Sequence, residues 1–256
     1  MKSKQARKKW SILLVILSFL SIIPIVSFLL WSQNTYSAVE EEGIVMTGEG
    51  EKIDDWLLFE AQQTEIGLIL YPGAKVDANA YAYVGQELAK QQITVAIPNV
   101  RLNLPIFDQL KAEEILKNPR FHEMDWYIGG HSMGGAAASM FADANLDRLS
   151  GLILLGAYAA DNEALSVSTF PVLTISGSED GLSTPQKIID YGKHLPKTAQ
   201  SVEIQGGNHA QFGVYGPQSG DYEATISVQD QQQIMIDTIV NWITAERATT
   251  SNRGDL

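Results

Sequence analysis

The stretch Y-I-G-G-H-S-M-G-G-A-A-A-S-M, residues 127–140, decides the fold, because a strand-like run passes through a small-residue turn into a helix-like run. At its centre, Gly130, Ser132 and Gly134 fit the pattern G-x-S-x-G. A serine on so sharp a turn needs glycines two positions away, since larger side chains would clash there. The pattern alone leaves two interpretations of Ser132 open. It is a raised nucleophile, or it is only a small residue in a turn.

Strand-like and helix-like segments alternate on both sides of this turn. Short apolar strands separated by helices predict an α/β fold with a mostly parallel sheet and helices on both faces. Two further runs ahead of these segments, at 41–49 and 55–62, predict an antiparallel hairpin. The predicted strands are 64–73, 93–100, 125–130, 149–158, 170–177 and 200–206, and the predicted helices are 78–91, 108–118, 184–195 and 227–246.

Three polar residues follow strands at the edge of the sheet where sites are expected. Ser132 ends one predicted strand, and Asp180 and His209 follow the two strands that come last. The carboxyl ends of parallel strands form the binding edge of such a sheet. The chain order of serine, acid and histidine at these positions is much more specific than G-x-S-x-G alone.

Four stretches carry a resemblance to a known family. The domain resembles the α/β-hydrolase superfamily, and within it is most similar to small dienelactone-hydrolase-like proteins. The resemblance implies a carboxylesterase-like serine hydrolase that cleaves an ester or related acyl bond through an acyl-enzyme, without a cofactor. The short connection between the strands at 149–158 and 170–177 implies that it has no cap domain. The stretches are Y-P-G-A-K-V-D-A-N-A-Y (71–81), G-G-H-S-M-G-G (129–135), S-G-S-E-D-G-L-S-T-P (176–185) and G-G-N-H-A-Q-F-G (206–213).

The chemistry of these residues supports the same site. A serine hydroxyl needs a base to remove its proton, and His209 would be that base. Asp180 would fix the tautomer of the imidazole and stabilise its charged form. The oxyanion needs backbone donors, which we expect from the Met133 amide and from Gly73 or Ala74.

Several assignments have alternatives. Glu179 competes with Asp180 for the role of the acid, although Asp180 matches the family pattern. Arg101 could bind a substrate carboxylate or form a structural salt bridge. Phe212 and Tyr215 lie in a long loop after His209 and could contact substrate or only pack that loop against the domain.

The N-terminus differs from the rest of the chain. Residues 1–9 carry five Lys or Arg and no acid, and residues 10–31 carry no charge. Such a stretch is about 33 Å long as a helix, enough to span a bilayer. Its terminal tryptophans, Trp10 and Trp31, suit the two interfaces, and the basic end is expected in the cytoplasm. The sequence therefore predicts a single-pass membrane protein with an extracellular domain, or a secreted one if a signal peptidase cuts near Ser37.

The remaining segments follow from this division. Residues 32–43 are polar and predict a tether to a single α/β-hydrolase domain at 44–248, with a disordered tail at 249–256. The chain has no cysteine and no metal or nucleotide motif. All 30 acidic residues lie beyond the basic segment, so the domain would repel nucleic acid. The expected partners are a small or lipid-like acyl ester and the membrane. A non-catalytic binding module and an acyltransferase with the same three residues remain as alternatives.

Overall fold

Eight strands form one sheet in the computed structural model, which describes residues 10, 20–46, 48, 50–62, 64–159 and 163–254. Their order is β1-β2-β4-β3-β5-β6-β7-β8. The pairs β1/β2 and β2/β4 are antiparallel and the other pairs are parallel, which confirms the predicted mostly parallel sheet. The strands are β1 (Glu51–Ile53), β2 (Trp56–Phe59), β3 (Ile66–Tyr71), β4 (Thr94–Pro98), β5 (Asp125–His131), β6 (Gly151–Leu155), β7 (Val172–Gly177) and β8 (Gln200–Ile204).

Helices cover both faces of the sheet, as the sequence predicts. Side chains of α1 and α6 form one apolar core with one face, and side chains of α2, α3 and α4 form a second core with the other. Strands β3 and β6 are buried almost throughout, because both of their faces meet a core. The helices are α1 (Ala82–Lys90), α2 (Ala112–Leu116), α3 (Met133–Asp143), α4 (Glu163–Val167), α5 (Pro185–Tyr191) and α6 (Val228–Gly254).

The predicted hairpin is present, but its first arm was placed wrongly. β1 and β2 form the hairpin, whereas the described residues of 41–49 contain no strand. Gly43 adopts a left-handed conformation with φ 81° beside Gln229 of α6, and Ile44 packs against the first core. Contacts with α6, which closes the domain, with the first core and with Gln86 of α1 therefore hold this segment, rather than pairing with a strand.

Two segment predictions at the ends of the domain were also wrong. The disordered tail at 249–256 is helical as far as Gly254, because α6 contains no glycine or proline before that residue that would end it. The polar segment at 32–43 is not a free tether. Tyr36 forms a parallel β-bridge with Val76, and the Val39 amide donates to the Val214 carbonyl over 3.1 Å.

The predicted membrane helix at 10–31 lies partly outside the described residues, which omit 11–19. Residues 20–33 are helical. Within the described ranges, no helix combines the length and the apolar character that crossing a bilayer requires.

Candidate active site

Ser132 lies on a strained turn between β5 and α3. Its backbone has φ 54° and ψ −123°, a conformation that non-glycine residues rarely adopt. The Ser132 amide donates to the Leu155 carbonyl over 3.0 Å, which fixes the turn to the neighbouring strand. A side chain at Gly130 would collide with Gly134, and one at Gly134 would collide with the Pro72 carbonyl. The glycines therefore permit the close backbone contacts that raise Ser132 above the sheet, where it is half-exposed.

Asp180 and His209 form a buried pair at the same edge. The His209 Nδ1 lies 2.8 Å from the Asp180 Oδ2, and both side chains are fully buried. The other carboxylate oxygen accepts the amides of Leu182 and Ser183 over 2.8 and 2.6 Å. With Nδ1–H donating to the carboxylate, Nε2 keeps a free electron pair, and it has no hydrogen-bond partner among the described residues. The pair can therefore accept a proton at Nε2.

The structure brings Asp180, and not Glu179, to the histidine. The Glu179 carboxylate instead accepts the hydroxyl of Ser178 over 3.2 Å.

Asp221, which sequence analysis missed, joins the loop that carries the acid to the loop that carries the histidine. Its Oδ1 accepts the amides of Gly181 and Tyr222, each over 2.9 Å. Its Oδ2 accepts the amide of Ala210 over 2.8 Å. The Asp221 carboxylate thus fixes the position of Gly181, which follows Asp180, relative to that of Ala210, which follows His209.

Two glutamines of α6 hold the histidine loop from the opposite side. Gln231 accepts the Asn208 amide over 2.9 Å and donates to the Asn208 carbonyl over 2.8 Å. Gln232 donates to the Gln211 carbonyl over 2.7 Å. Both glutamines are buried, so these bonds are shielded from water. The backbone on both sides of His209 is therefore anchored to the closing helix.

A buried chain of hydrogen bonds connects the Ser132 turn to the loop after β3. The Gly73 amide donates to the Tyr81 hydroxyl over 2.8 Å, and that hydroxyl lies 2.8 Å from the His131 Nδ1. Burial raises the pKa of Tyr81, while burial and the nearby His209 hold the pKa of His131 well below its usual range. Both groups are thus neutral, so the hydroxyl donates to Nδ1 and the proton of the His131 ring lies on Nε2.

The histidine before the serine also packs against the candidate base. The ring centroids of His131 and His209 are 4.5 Å apart. His131 is fully buried, and its contacts with Tyr81 and His209 indicate a positioning role. No local sequence signal indicates this role, because Tyr81 and His209 lie far away in the chain.

The two expected sources of an oxyanion donor after β3 are not equivalent. The Gly73 amide is committed to Tyr81. The Ala74 amide donates to no other group in the part of the chain that the structure describes. Met133 is the first residue of α3, where amides have no acceptor within the helix. Ala74 and Met133 are half-exposed, so both amides are candidates for binding a ligand oxygen.

The three suggested substrate-binding residues have structural partners. Arg101 Nε lies 2.5 Å from the Asp108 Oδ1, which is the salt bridge considered as the alternative. Phe212 is fully buried, and its ring lies 5.7 Å from that of His131. Tyr215 is 4% exposed, and its hydroxyl donates to Gln218 over 2.8 Å. These contacts match the packing interpretation of the two aromatic residues.

One sizeable cavity lies apart from the candidate site. Its volume is about 980 Å³, and it lies at the opposite edge of the sheet, where Asp125 begins its strand and Ser150 and Pro171 precede theirs. Ser132 does not line it. Among the described residues, no group of three or more histidines and carboxylates is arranged to hold a metal ion.

Comparison with known proteins agrees with this architecture. The alpha/beta hydrolase family matches residues 67–233. Est1E from Butyrivibrio proteoclasticus superposes with a TM-score of 0.57 at 15% identity, covering 75% of this chain and 94% of that one. Dienelactone hydrolase from Anabaena variabilis gives 0.55 at 17% identity, covering 71% and 88%. A thermophilic esterase from Thermogutta terrifontis gives 0.56 at 15% identity, covering 75% and 93%. No curated protein sequence matches the chain.

Proposed function

The chain belongs to the alpha/beta hydrolase family and is a hydrolase, and we propose that it cleaves an acyl ester with Ser132, Asp180 and His209 as its catalytic triad. The observations that carry this proposal are the buried contact between Asp180 and His209 and the strained, half-exposed Ser132, whose neighbour His131 packs against the His209 ring. Strained backbone conformations cluster at functional sites, whereas a serine that served only as a turn residue would not require one.

The reaction proceeds in two halves in this proposal. The Ser132 Oγ attacks the ester carbonyl while its proton passes to the His209 Nε2. The carbonyl oxygen becomes an oxyanion that accepts the amides of Met133 and Ala74. Collapse of this intermediate breaks the ester bond, and the departing alkoxide takes the proton from His209. Water then loses a proton to His209, attacks the acyl-enzyme and releases the acid, and Ser132 regains its proton.

We propose further that the domain lies outside the cell, held by residues 10–31 in the membrane. The described part of this segment supports the proposal, because its large apolar side chains are exposed, including Leu20, Ile23 and Leu30 at 58–69%. Exposed apolar residues on several sides of one helix indicate an apolar surrounding.

The test uses the full chain in detergent with a fluorophosphonate probe that labels activated serines. We expect labelling of the native chain and of His122→Ala, which removes an exposed histidine far from the site. We expect no labelling of Ser132→Ala or His209→Ala. Product analysis with an added alcohol then distinguishes hydrolysis from acyl transfer. A folded native chain that takes no label and cleaves no short-chain ester would contradict the proposal.

A further inference from the structure

The last residues of the apolar helix and those that follow it contact loops that border the candidate site. We define residues 32–39, of which 32 and 33 are helical, as the docked segment. The Tyr36 amide donates to the Lys75 carbonyl over 2.6 Å, and the Asp77 amide donates to the Tyr36 carbonyl over 3.0 Å. Lys75 directly follows Ala74, the candidate oxyanion donor. The docked segment therefore pairs with the loop that would bind the oxyanion.

Further contacts fix both ends of the docked segment. The backbone carbonyl of the buried Ser32 accepts a hydrogen bond from the side-chain amide of Asn103 over 2.9 Å. The Tyr36 ring lies 5.7 Å from that of Tyr215, in the loop that follows His209. These contacts, with that of Val39, leave little freedom between the apolar helix and the domain. A free chain of similar length would reach roughly 15 Å in any direction.

The loops that the docked segment contacts are strained. Lys75, Leu102 and Asn103 have φ values of 62°, 56° and 55°, although none is a glycine. The Lys75 amide donates to the Asn103 carbonyl over 2.6 Å, so two strained loops are also bonded to each other. Such conformations persist only where surrounding contacts enforce them. The docked segment supplies part of that enforcement.

The apolar helix ends in contact with the same loop. The Lys75 Nζ lies 4.5 Å from the centroid of the Trp31 ring. Tryptophan at the end of an apolar helix favours the membrane interface, and lysine can extend its charge to the headgroups from there. The neighbouring loop exposes two more apolar side chains, Phe107 at 49% and Leu110 at 65%. Exposed apolar side chains thus lie on two elements that reach the loop of Ala74, the helix through Trp31 and Lys75 and the neighbouring loop through Asn103.

We infer that the ester substrate is a membrane-inserted amphiphile, which reaches Ser132 from the bilayer surface at Trp31 and Lys75. This inference rests on the proposed hydrolase function and on the proposed membrane helix. With the apolar helix in the bilayer, these contacts would keep the loop that carries Ala74 near the interface, where an ester that joins an acyl chain to a polar headgroup lies. A water-soluble ester has no corresponding advantage from this arrangement.

The experiment compares two esters with the same leaving group, using the full chain in phosphatidylcholine nanodiscs. p-Nitrophenyl butyrate stays in water, and p-nitrophenyl palmitate partitions into the bilayer. A Gly-Ser insert of about twelve residues after Trp31 separates the apolar helix from the docked segment by roughly 20 Å. Ser32 and Tyr36 lie after the insert and stay beside their partners in the domain. The control carries the same insert between His122 and Glu123, which are exposed at the opposite edge of the sheet.

We expect the insert after Trp31 to lower kcat/KM for p-nitrophenyl palmitate by about tenfold, because the site then meets a lower local concentration of the ester in the bilayer. The value of kcat/KM for p-nitrophenyl butyrate should stay within about twofold. The control insert should change neither value. Equal palmitate cleavage by the native chain and the Trp31 insert would overturn the inference, and so would a native chain that does not remain with the nanodiscs. A native chain that does not cleave p-nitrophenyl butyrate would instead contradict the proposed hydrolase function.

Discussion

The two sides of the candidate site are held in place by different parts of the chain. The acid and histidine loops are fixed within the domain by Asp221 and by Gln231 of the closing helix. The loop that carries Ala74 is strained at Lys75 and pairs with Tyr36, which lies outside the sheet. In the proposed mechanism, the core would therefore organise proton transfer, whereas oxyanion binding would depend partly on the segment that leads to the apolar helix.

The largest effect should come from the acid. Asp180→Asn keeps the shape of the side chain but removes the charge that stabilises the histidine, and kcat for p-nitrophenyl butyrate should fall by roughly 10³- to 10⁴-fold. Glu179→Gln is the matched control, because its carboxylate contacts Ser178 rather than His209. If kcat fell equally in the two variants, Asp180 would not be the carboxylate that supports His209.

A smaller loss should follow when the connection between the two loops is weakened. Asp221→Asn replaces one accepting oxygen with a donor that faces the Ala210 or Gly181 amide. Hydrogen bonds to a charged group contribute about 1.5–3 kcal/mol, so we expect kcat to fall by about tenfold or more. KM should stay within about twofold, since Asp221 positions the base rather than binding substrate.

The control for this variant is Asp237→Asn, at an exposed position of α6. Both variants are compared by circular dichroism and by the rate of fluorophosphonate labelling. A normal labelling rate in Asp221→Asn would refute the positioning role, even if the protein were less stable.

On the other side of the site, Tyr36→Pro removes the amide that donates to Lys75. One hydrogen bond contributes about 0.5–1.5 kcal/mol, so kcat for the butyrate ester should fall by about two- to tenfold. Tyr36→Phe keeps this amide and the aromatic ring, and it should retain native kcat. If the two variants have the same activity, the docked segment does not support the oxyanion loop.

The smallest effect concerns stability and pH. The pKa of His131 is low in the folded protein, so below the ordinary value of about 6.5 the unfolded chain binds a proton that the native state does not. The free energy of unfolding should therefore decrease as pH falls from about 6.5, by up to about 1.4 kcal/mol per pH unit from this group.

Urea unfolding of the native chain and of His131→Gln between about pH 7 and pH 5 measures this contribution. The variant cannot titrate at this position, so its stability should fall less steeply over that range. The Tyr81 hydroxyl and the His209 ring face the group, and both remain in the variant. Parallel curves would mean that His131 does not remain neutral as the pH falls.

The sequence predicts the sheet and the positions of the three candidate catalytic residues well, because both depend on strand order. Ser132, Asp180 and His209 each follow a buried strand, and parallel strands place their carboxyl ends together. The choice between Gly73 and Ala74 depends on the Tyr81 hydroxyl, which no local pattern indicates. The choice between Glu179 and Asp180 rested on the family pattern, and the contact with His209 agrees with it.

The positioning residues could not be predicted for a related reason. Asp221 lies in the long loop after His209, but its role depends on Gly181, 40 residues earlier. The docked segment was mistaken for a tether because it is polar and short, and its single bridge to Val76 leaves no periodic pattern. Contacts made by backbone atoms do not depend on side-chain type, so composition gives no sign of them.

The docking of Tyr36 makes the site sensitive to proteolytic release. A cut after Ser37, at the position that resembles a signal-peptidase site, would separate Tyr36 from the domain and from its partners Lys75 and Asp77. The released fragment would keep all eight strands and the pair of Asp180 and His209, yet it would lose the backbone contacts that Tyr36 makes with Lys75 and Asp77. If the proposed membrane anchoring and hydrolase activity hold, such a cut would therefore also reduce turnover, and a fragment prepared for crystallisation should begin no later than Ser32.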